Sequence, residues 1–149
     1  MEHSIYLQLI NCVKILTKNV INFPDYGSQS KFNLYNQLSK EEKYSLIVNR
    51  KGHLREDYLT YIMNSEEHKI MVRLDYAGPP HDNRNPDGSI TTIDTPHVHI
   101  FSEKYDNGRI AIPLSDISDK QIINELRDSL IAFLLYNNVD LSNIEIALI

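Results

Sequence analysis

Hydrophobic positions recur along this chain with two periods. Near the start Ile5, Leu9, Val13, Leu16 and Val20 are spaced by three and four, the rhythm of one apolar helix face, which predicts a helix over 2–20. Phe23-Pro24-Asp25-Tyr26-Gly27 ends it in a turn. From Lys31 to Leu38 a strand is predicted, and Ser39-Lys40-Glu41-Glu42 reads as a capping box before a short turn. The period then becomes two. Tyr44, Leu46 and Val48 alternate with Ser45, Ile47 and Asn49, and Tyr58, Thr60 and Ile62 alternate with Leu59, Tyr61 and Met63, a run rich in residues that strands prefer. Arg50-Lys51-Gly52 and Asn64 to Glu67 are the turns between them. Ile70, Val72, Leu74 and Tyr76 then face one way, and Lys69, Met71, Arg73 and Asp75 the other.

Residues 77–96 read as a long loop holding Gly78-Pro79-Pro80 and Asn85-Pro86-Asp87-Gly88, a type I turn sequence. Loops of this length in compact domains are often functional. A strand follows over His97 to Glu103, a tight turn at Asp106-Asn107-Gly108, and a returning strand with Ile110, Ile112 and Leu114 inward. Ser118 and Gln121 suit a capping box for a helix over 119–137, with Ile122, Leu126, Leu130 and Phe133 on its buried side. A final strand is expected over 143–149. Helix, sequential strands and helix together predict an α+β fold. Its antiparallel sheet has five to six strands, within 31–115 apart from the final one, with the N- and C-terminal helices on one face.

Bulk composition narrows the function. The 149 residues form most simply one domain, 1–149, large enough to bury a sizeable core. Net charge is −5 with six histidines, which excludes a broad basic nucleic-acid footprint but not a small site acting on RNA or a nucleotide. Cys12 is the single cysteine, which fits a reducing cytoplasm and excludes a cysteine-rich metal site. The first 24 residues lack the apolar core of a signal peptide. No apolar run approaches the ~18–20 residues needed to span a bilayer, so no membrane partner is expected.

The candidate chemistry lies in Pro96-His97-Val98-His99-Ile100. On a strand His97 and His99 share one face while Val98 and Ile100 enter the core. With Arg73, Asp75, Phe101 and Arg109 they make an open, wet sheet face, roofed by the 77–96 loop with its His81, Asp82, Arg84, Asp87 and Asp94. Three readings follow. His97 and His99 are the acid–base pair of a metal-independent nuclease or phosphodiesterase, with His81 as helper and Arg73 on the phosphate; RNA or a nucleotide is then the partner and no cofactor is expected. Alternatively the face binds and inhibits a host defence or nuclease protein. In the third reading His97, His99, His81 and Asp75 hold a divalent metal. A plain structural role stands beside them, in which His99 bonds a backbone group of the loop and holds it down. Arg73 and Asp75 also read as a cross-strand ion pair, Cys12 as packing, and His3, His53 and His68 carry no functional expectation.

The segments Arg73-Leu74-Asp75, Gly78-Pro79-Pro80-His81, Asn85-Pro86-Asp87-Gly88, Pro96-His97-Val98-His99-Ile100 and Ile112-Pro113-Leu114 resemble a family of small proteins from Firmicutes and their prophages with no settled function. More loosely, His81, His97 and His99 are similar to the histidines of bacterial ribonuclease toxin domains with a PHxH pattern. That resemblance implies RNA cleavage at these positions in a cytoplasmic phage-type protein. A longer insert and the acidic balance set this chain apart from those domains.

Overall fold

A computed structural model describes residues 1–50, 59–123 and 125–147 of the chain. The expected Arg50-Lys51-Gly52 turn, Tyr58 and His53 fall wholly or partly outside them. In chain order the elements are α1 (His3–Asn11), β1 (Lys14–Leu16), β2 (Val20–Asn22), β3 (Gln29–Asn36), β4 (Ser39–Asn49), β5 (Leu59–Ser65), β6 (Lys69–Ala77), β7 (His81–Arg84), β8 (Ile90–Ile93), β9 (His97–Ile100), β10 (Ala111–Pro113), α2 (Glu125–Tyr136) and β11 (Glu145–Ala147). Short 3₁₀ segments lie at Glu103–Gly108 and Leu114–Asp116. The fold is α+β. Among the described residues seven strands form one antiparallel sheet in the order β1-β3-β4-β5-β6-β9-β10, larger than the five to six expected.

Alternation along these strands sorts the side chains into two faces. Directly paired residues run across the sheet as Val48, Tyr61, Leu74, Val98 and Ile112, and this face joins the core with Tyr6 and Leu9 of α1 and Leu130 and Phe133 of α2. Tyr61 donates to or accepts from Ser129 Oγ at 2.8 Å, which fixes α2 on that face. Tyr6 and Tyr136 hydroxyls meet at 2.5 Å and join the two helices. Burying five large side chains of such a row stabilises the fold by roughly 1.5–3 kcal/mol each. The opposite face carries the rows Ile47, Ile62, Arg73, His99, Ala111 and Asn49, Thr60, Asp75, His97, Pro113.

Several boundaries differ from those predicted. The helix predicted over 2–20 stops at Asn11, and Cys12 turns to an extended backbone. Val13, Ile15 and Leu16 suit a strand as well as a helix, and β1 pairing with β3 wins. Ser39 to Glu42 opens β4 rather than a turn, because residues 37 and 38 already reverse the chain. A bulge at Met71 brings Met71 and Val72 both inward, so Ile70 leaves the core. The helix predicted over 119–137 begins at Glu125: Ser118 Oγ accepts from Lys120 N locally, and Asp128 accepts from Ile123 N. The last strand is shorter than 143–149 and pairs parallel with β2, outside the main sheet.

Lys14 ties these parts together. It is 0% exposed, and its Nζ donates to Leu9 O (2.6 Å), Cys12 O (3.1 Å) and Asn137 O (2.7 Å). These carbonyls end α1 and α2, where orphan acceptors and the negative end of the helix dipole favour a cation. Burial pulls Lys14 down from 10.5 to about 8, against the opposing pull of Cys12 and Glu42.

Exchanging Lys14 for Met leaves three carbonyls without their donor, with an expected loss of roughly 2–4 kcal/mol in denaturant unfolding. The lowered folded value means that the unfolded chain binds more protons between about pH 8 and 10.5. Lys14 therefore adds stability as pH rises through that window. The wild-type advantage over K14M should grow from about pH 7.5 to 9.5; a flat difference contradicts the assignment.

Candidate functional site

The site is a product of register. Pairing of β6 with β9 sets Asp75 opposite His97 and Arg73 opposite His99. Asp75 is the hub. Arg73 donates Nε to Oδ1 at 3.0 Å and Nη2 to Oδ2 at 3.1 Å, a two-pronged pair. Thr60 Oγ1 lies 3.4 Å from Oδ1. On the other side His97 Nε2 lies 3.1 Å and His99 Nε2 3.4 Å from Oδ2. The His99 contact lacks hydrogen-bond alignment, so this buried nitrogen has no partner. Burial opposes ionisation of Asp75, but His97, His99 and Arg73 outweigh it and hold the carboxyl well below the usual carboxylate range.

The far nitrogens are pinned. His97 Nδ1 faces Ile93 O at 3.2 Å and His99 Nδ1 faces Gly108 O at 2.8 Å. A carbonyl only accepts, so both Nδ1 atoms carry protons and donate. A ring protonated on both nitrogens donates Nε2–H to the carboxylate, whereas a neutral ring of this tautomer turns its Nε2 lone pair toward the same carboxylate oxygen. The Gly108 carbonyl is placed by three successive left-handed residues, Asp106, Asn107 and Gly108 (φ 52, 50 and 89°). The Asp106-Asn107-Gly108 signal thus makes this irregular turn rather than a tight hairpin. A methyl added to Gly108 would also overlap the Phe101 ring.

The expected 77–96 loop is largely a hairpin of β7 and β8, paired from His81↔Ile93 to Arg84↔Ile90. Asn85 O accepts from Gly88 N at 2.9 Å, closing the predicted turn. The hairpin lies along β10: Asn83 donates to Ala111 O at 2.7 Å and accepts from Ala111 N at 2.9 Å. Asn83 drew no notice in the sequence, since a polar residue within a loop-like stretch gives no register signal. His81 Nε2 faces Arg109 O at 2.8 Å, and its ring centroid lies 4.8 Å from His99 and 6.1 Å from His97.

The expectation of a wet histidine face is corrected here. His97 and His99 are each 2% exposed. His99 holds the Gly108 turn, not the 77–96 segment; His97 makes the contact to that segment through Ile93. Arg109 points away, pairing with Asp106 at 3.2 Å in solvent. Asp82 and Asp87 serve local bonds to Thr92 and Ser89, and Arg84 and Asp94 are exposed. Asp75, His97 and His99 offer three ligand atoms within 4.8 Å of one another; His81 is outside that group. A groove of about 480 Å³ borders Asp75 and Arg73 from the Thr60 and Pro79 side. No helix among the described residues is long and apolar enough to cross a membrane.

A family model matches residues 1–139. The chain belongs to DUF6978, a family of unknown function. No curated protein and no solved structure matches it. This family membership carries no activity, so the functional reading rests on the geometry of the Asp75 cluster.

Two outcomes test that geometry. Ionised Asp75 contributes stability that is present above about pH 4 and lost as pH falls below it. Wild-type Tm should therefore drop more steeply than that of Asp75→Asn between about pH 5 and 3; parallel curves contradict the hub. Gly108→Ala should cost roughly 1–3 kcal/mol in denaturant unfolding, and an unchanged midpoint would show that the left-handed turn is not required.

Proposed function

We propose that this protein binds a divalent transition-metal ion, best matched by zinc, between Asp75 Oδ2, His97 Nε2 and His99 Nε2. The unpartnered, buried His99 Nε2 carries the reading. With His99 neutral, its Nε2 lone pair and the carboxylate oxygen face each other across 3.4 Å, and a shared cation turns that contact from unfavourable to favourable. Ligands of a tetrahedral ion with bonds near 2.0–2.1 Å lie about 3.3 Å apart; the nitrogen–oxygen separations are 3.1 and 3.4 Å. Both Nδ1–H groups already donate to backbone carbonyls, the outer bonds that orient metal-bound imidazoles. The ionised carboxylate supplies the charge, and Arg73 bonds to both of its oxygens and holds its orientation. Nitrogen and oxygen donors without thiolate suit zinc and its neighbours in the first transition row.

The paired-histidine phosphodiesterase is the weaker reading. General acid–base catalysis needs the rings within hydrogen-bond reach of the substrate, and the hairpin covers both. Arg73, its phosphate contact, is spent on Asp75.

Protein stripped with EDTA should bind one zinc ion per chain by calorimetry. At about 100 times Kd, zinc should raise Tm by roughly 5–10 °C. Folded His99→Ala should lose most of this response, and the response should shrink at lower pH as protons compete for the nitrogens. Failure of stripped wild-type protein to bind or to be stabilised overturns the proposal. Phosphodiester cleavage by the stripped protein, lost in folded His97→Ala, would restore the acid–base reading.

A further inference from the structure

The three site histidines share one arrangement. Each has one ring nitrogen on a backbone carbonyl: His97 on Ile93 O, His99 on Gly108 O and His81 on Arg109 O. In each neutral ring the carbonyl-bound nitrogen carries the proton, which leaves the other nitrogen as a lone pair. For His81 the bond uses Nε2, so the free nitrogen is Nδ1.

The ring spacings point the same way. Imidazoles radiating from one tetrahedral ion with bonds of about 2.0–2.1 Å have centroids about 5 Å apart. The centroids here are 5.0 Å apart for His97 and His99, 4.8 Å for His81 and His99, and 6.1 Å for His81 and His97. The interplanar angles of 65–90° keep the rings edge to face rather than stacked. His81 does not lie within the 4.8 Å ligand group, so binding requires its free nitrogen to move toward the other three ligands.

From this we infer that His81 is the fourth ligand, completing a closed three-histidine, one-aspartate zinc site that clasps the β7–β8 hairpin to the sheet. The inference rests on the metal reading above and deepens it. A closed four-ligand set is the pattern of structural zinc, whereas catalytic zinc keeps a position for water. The hairpin's described bonds to the rest of the fold are few: the Asn83–Ala111 pair, the His81–Arg109 contact and the His97–Ile93 contact. An ion bound to His81 would add one strong link at the start of β7. Metal occupancy then controls how firmly the hairpin covers His97 and His99.

Cobalt(II) in place of zinc reads the ligand set, and hydrogen exchange reads the hairpin. Wild-type protein should give the intense visible bands of four-coordinate cobalt, and zinc should slow amide exchange across residues 81–93. His81→Ala should still bind cobalt, at least roughly tenfold more weakly, with visible bands shifted because water replaces one imidazole. It should also lose the metal-dependent protection. His81→Cys should add a sulfur-to-cobalt charge-transfer band, which appears only where position 81 reaches the ion. Equal affinity and identical spectra for wild type and His81→Ala, with no new band in His81→Cys, would overturn the clasp while leaving the three-ligand site standing. No cobalt binding by folded wild-type protein would overturn both.

Discussion

The pairing of β6 with β9 is the constraint on which this site depends. It sets Asp75 against His97 and Arg73 against His99 while setting Leu74 against Val98 and Val72 against Ile100 in the core. A slip of one residue would exchange the two faces. It would push an aspartate and an arginine among Tyr61, Met63 and Phe133 and expose valine and isoleucine to the hairpin. Each face thus forbids the errors of the other. The bulges in the β5–β6 pairing, one near Met71 and one beside Asp75 at the Leu59/Thr60 shift, adjust twist where the chain enters and leaves the site.

Within that register the electrostatics are unbalanced in an informative way. Arg73 alone neutralises Asp75 in the usual surface manner. Two further imidazoles, nearly devoid of solvent, close on the same oxygen from the other side. One of them leaves a nitrogen unsatisfied, a costly arrangement in a low-dielectric interior. Lys14 shows how this fold satisfies a buried cation: three carbonyls accept from all three donors. The Asp75 cluster leaves the opposite condition, an acceptor-rich space. The proposed metal ion would fill that condition.

Much of this was legible in the sequence. Alternation at Tyr44-Leu46-Val48, Leu59-Tyr61-Met63 and His97-Val98-His99-Ile100 predicts these strands, and in the last it sets His97 and His99 opposite the core-facing Val98 and Ile100. Asp75 and the His97/His99 pair follow from the same alternation. The helix over 2–20 did not survive, since Val13 and Leu16 satisfy spacings of both kinds and only pairing with β3 decides between them. The 77–96 segment looks like a loop because β7 and β8 are four residues each, with polar residues at most positions. Burial of the histidines could not be read at all: it comes from a hairpin docked through Asn83 to β10, a contact between segments 28 residues apart. The role of Gly108 was signalled by Asp106-Asn107-Gly108, but the carbonyl it presents to His99 is a tertiary fact.

If Asp75, His97 and His99 share one ion, X-ray absorption spectroscopy of the zinc-loaded protein should show a first shell of nitrogen and oxygen near 2.0–2.1 Å with outer-shell scattering from at least two imidazole rings, lost in folded His97→Ala/His99→Ala. A shell of oxygen alone, or imidazole scattering that persists in that double variant, would contradict a shared ion.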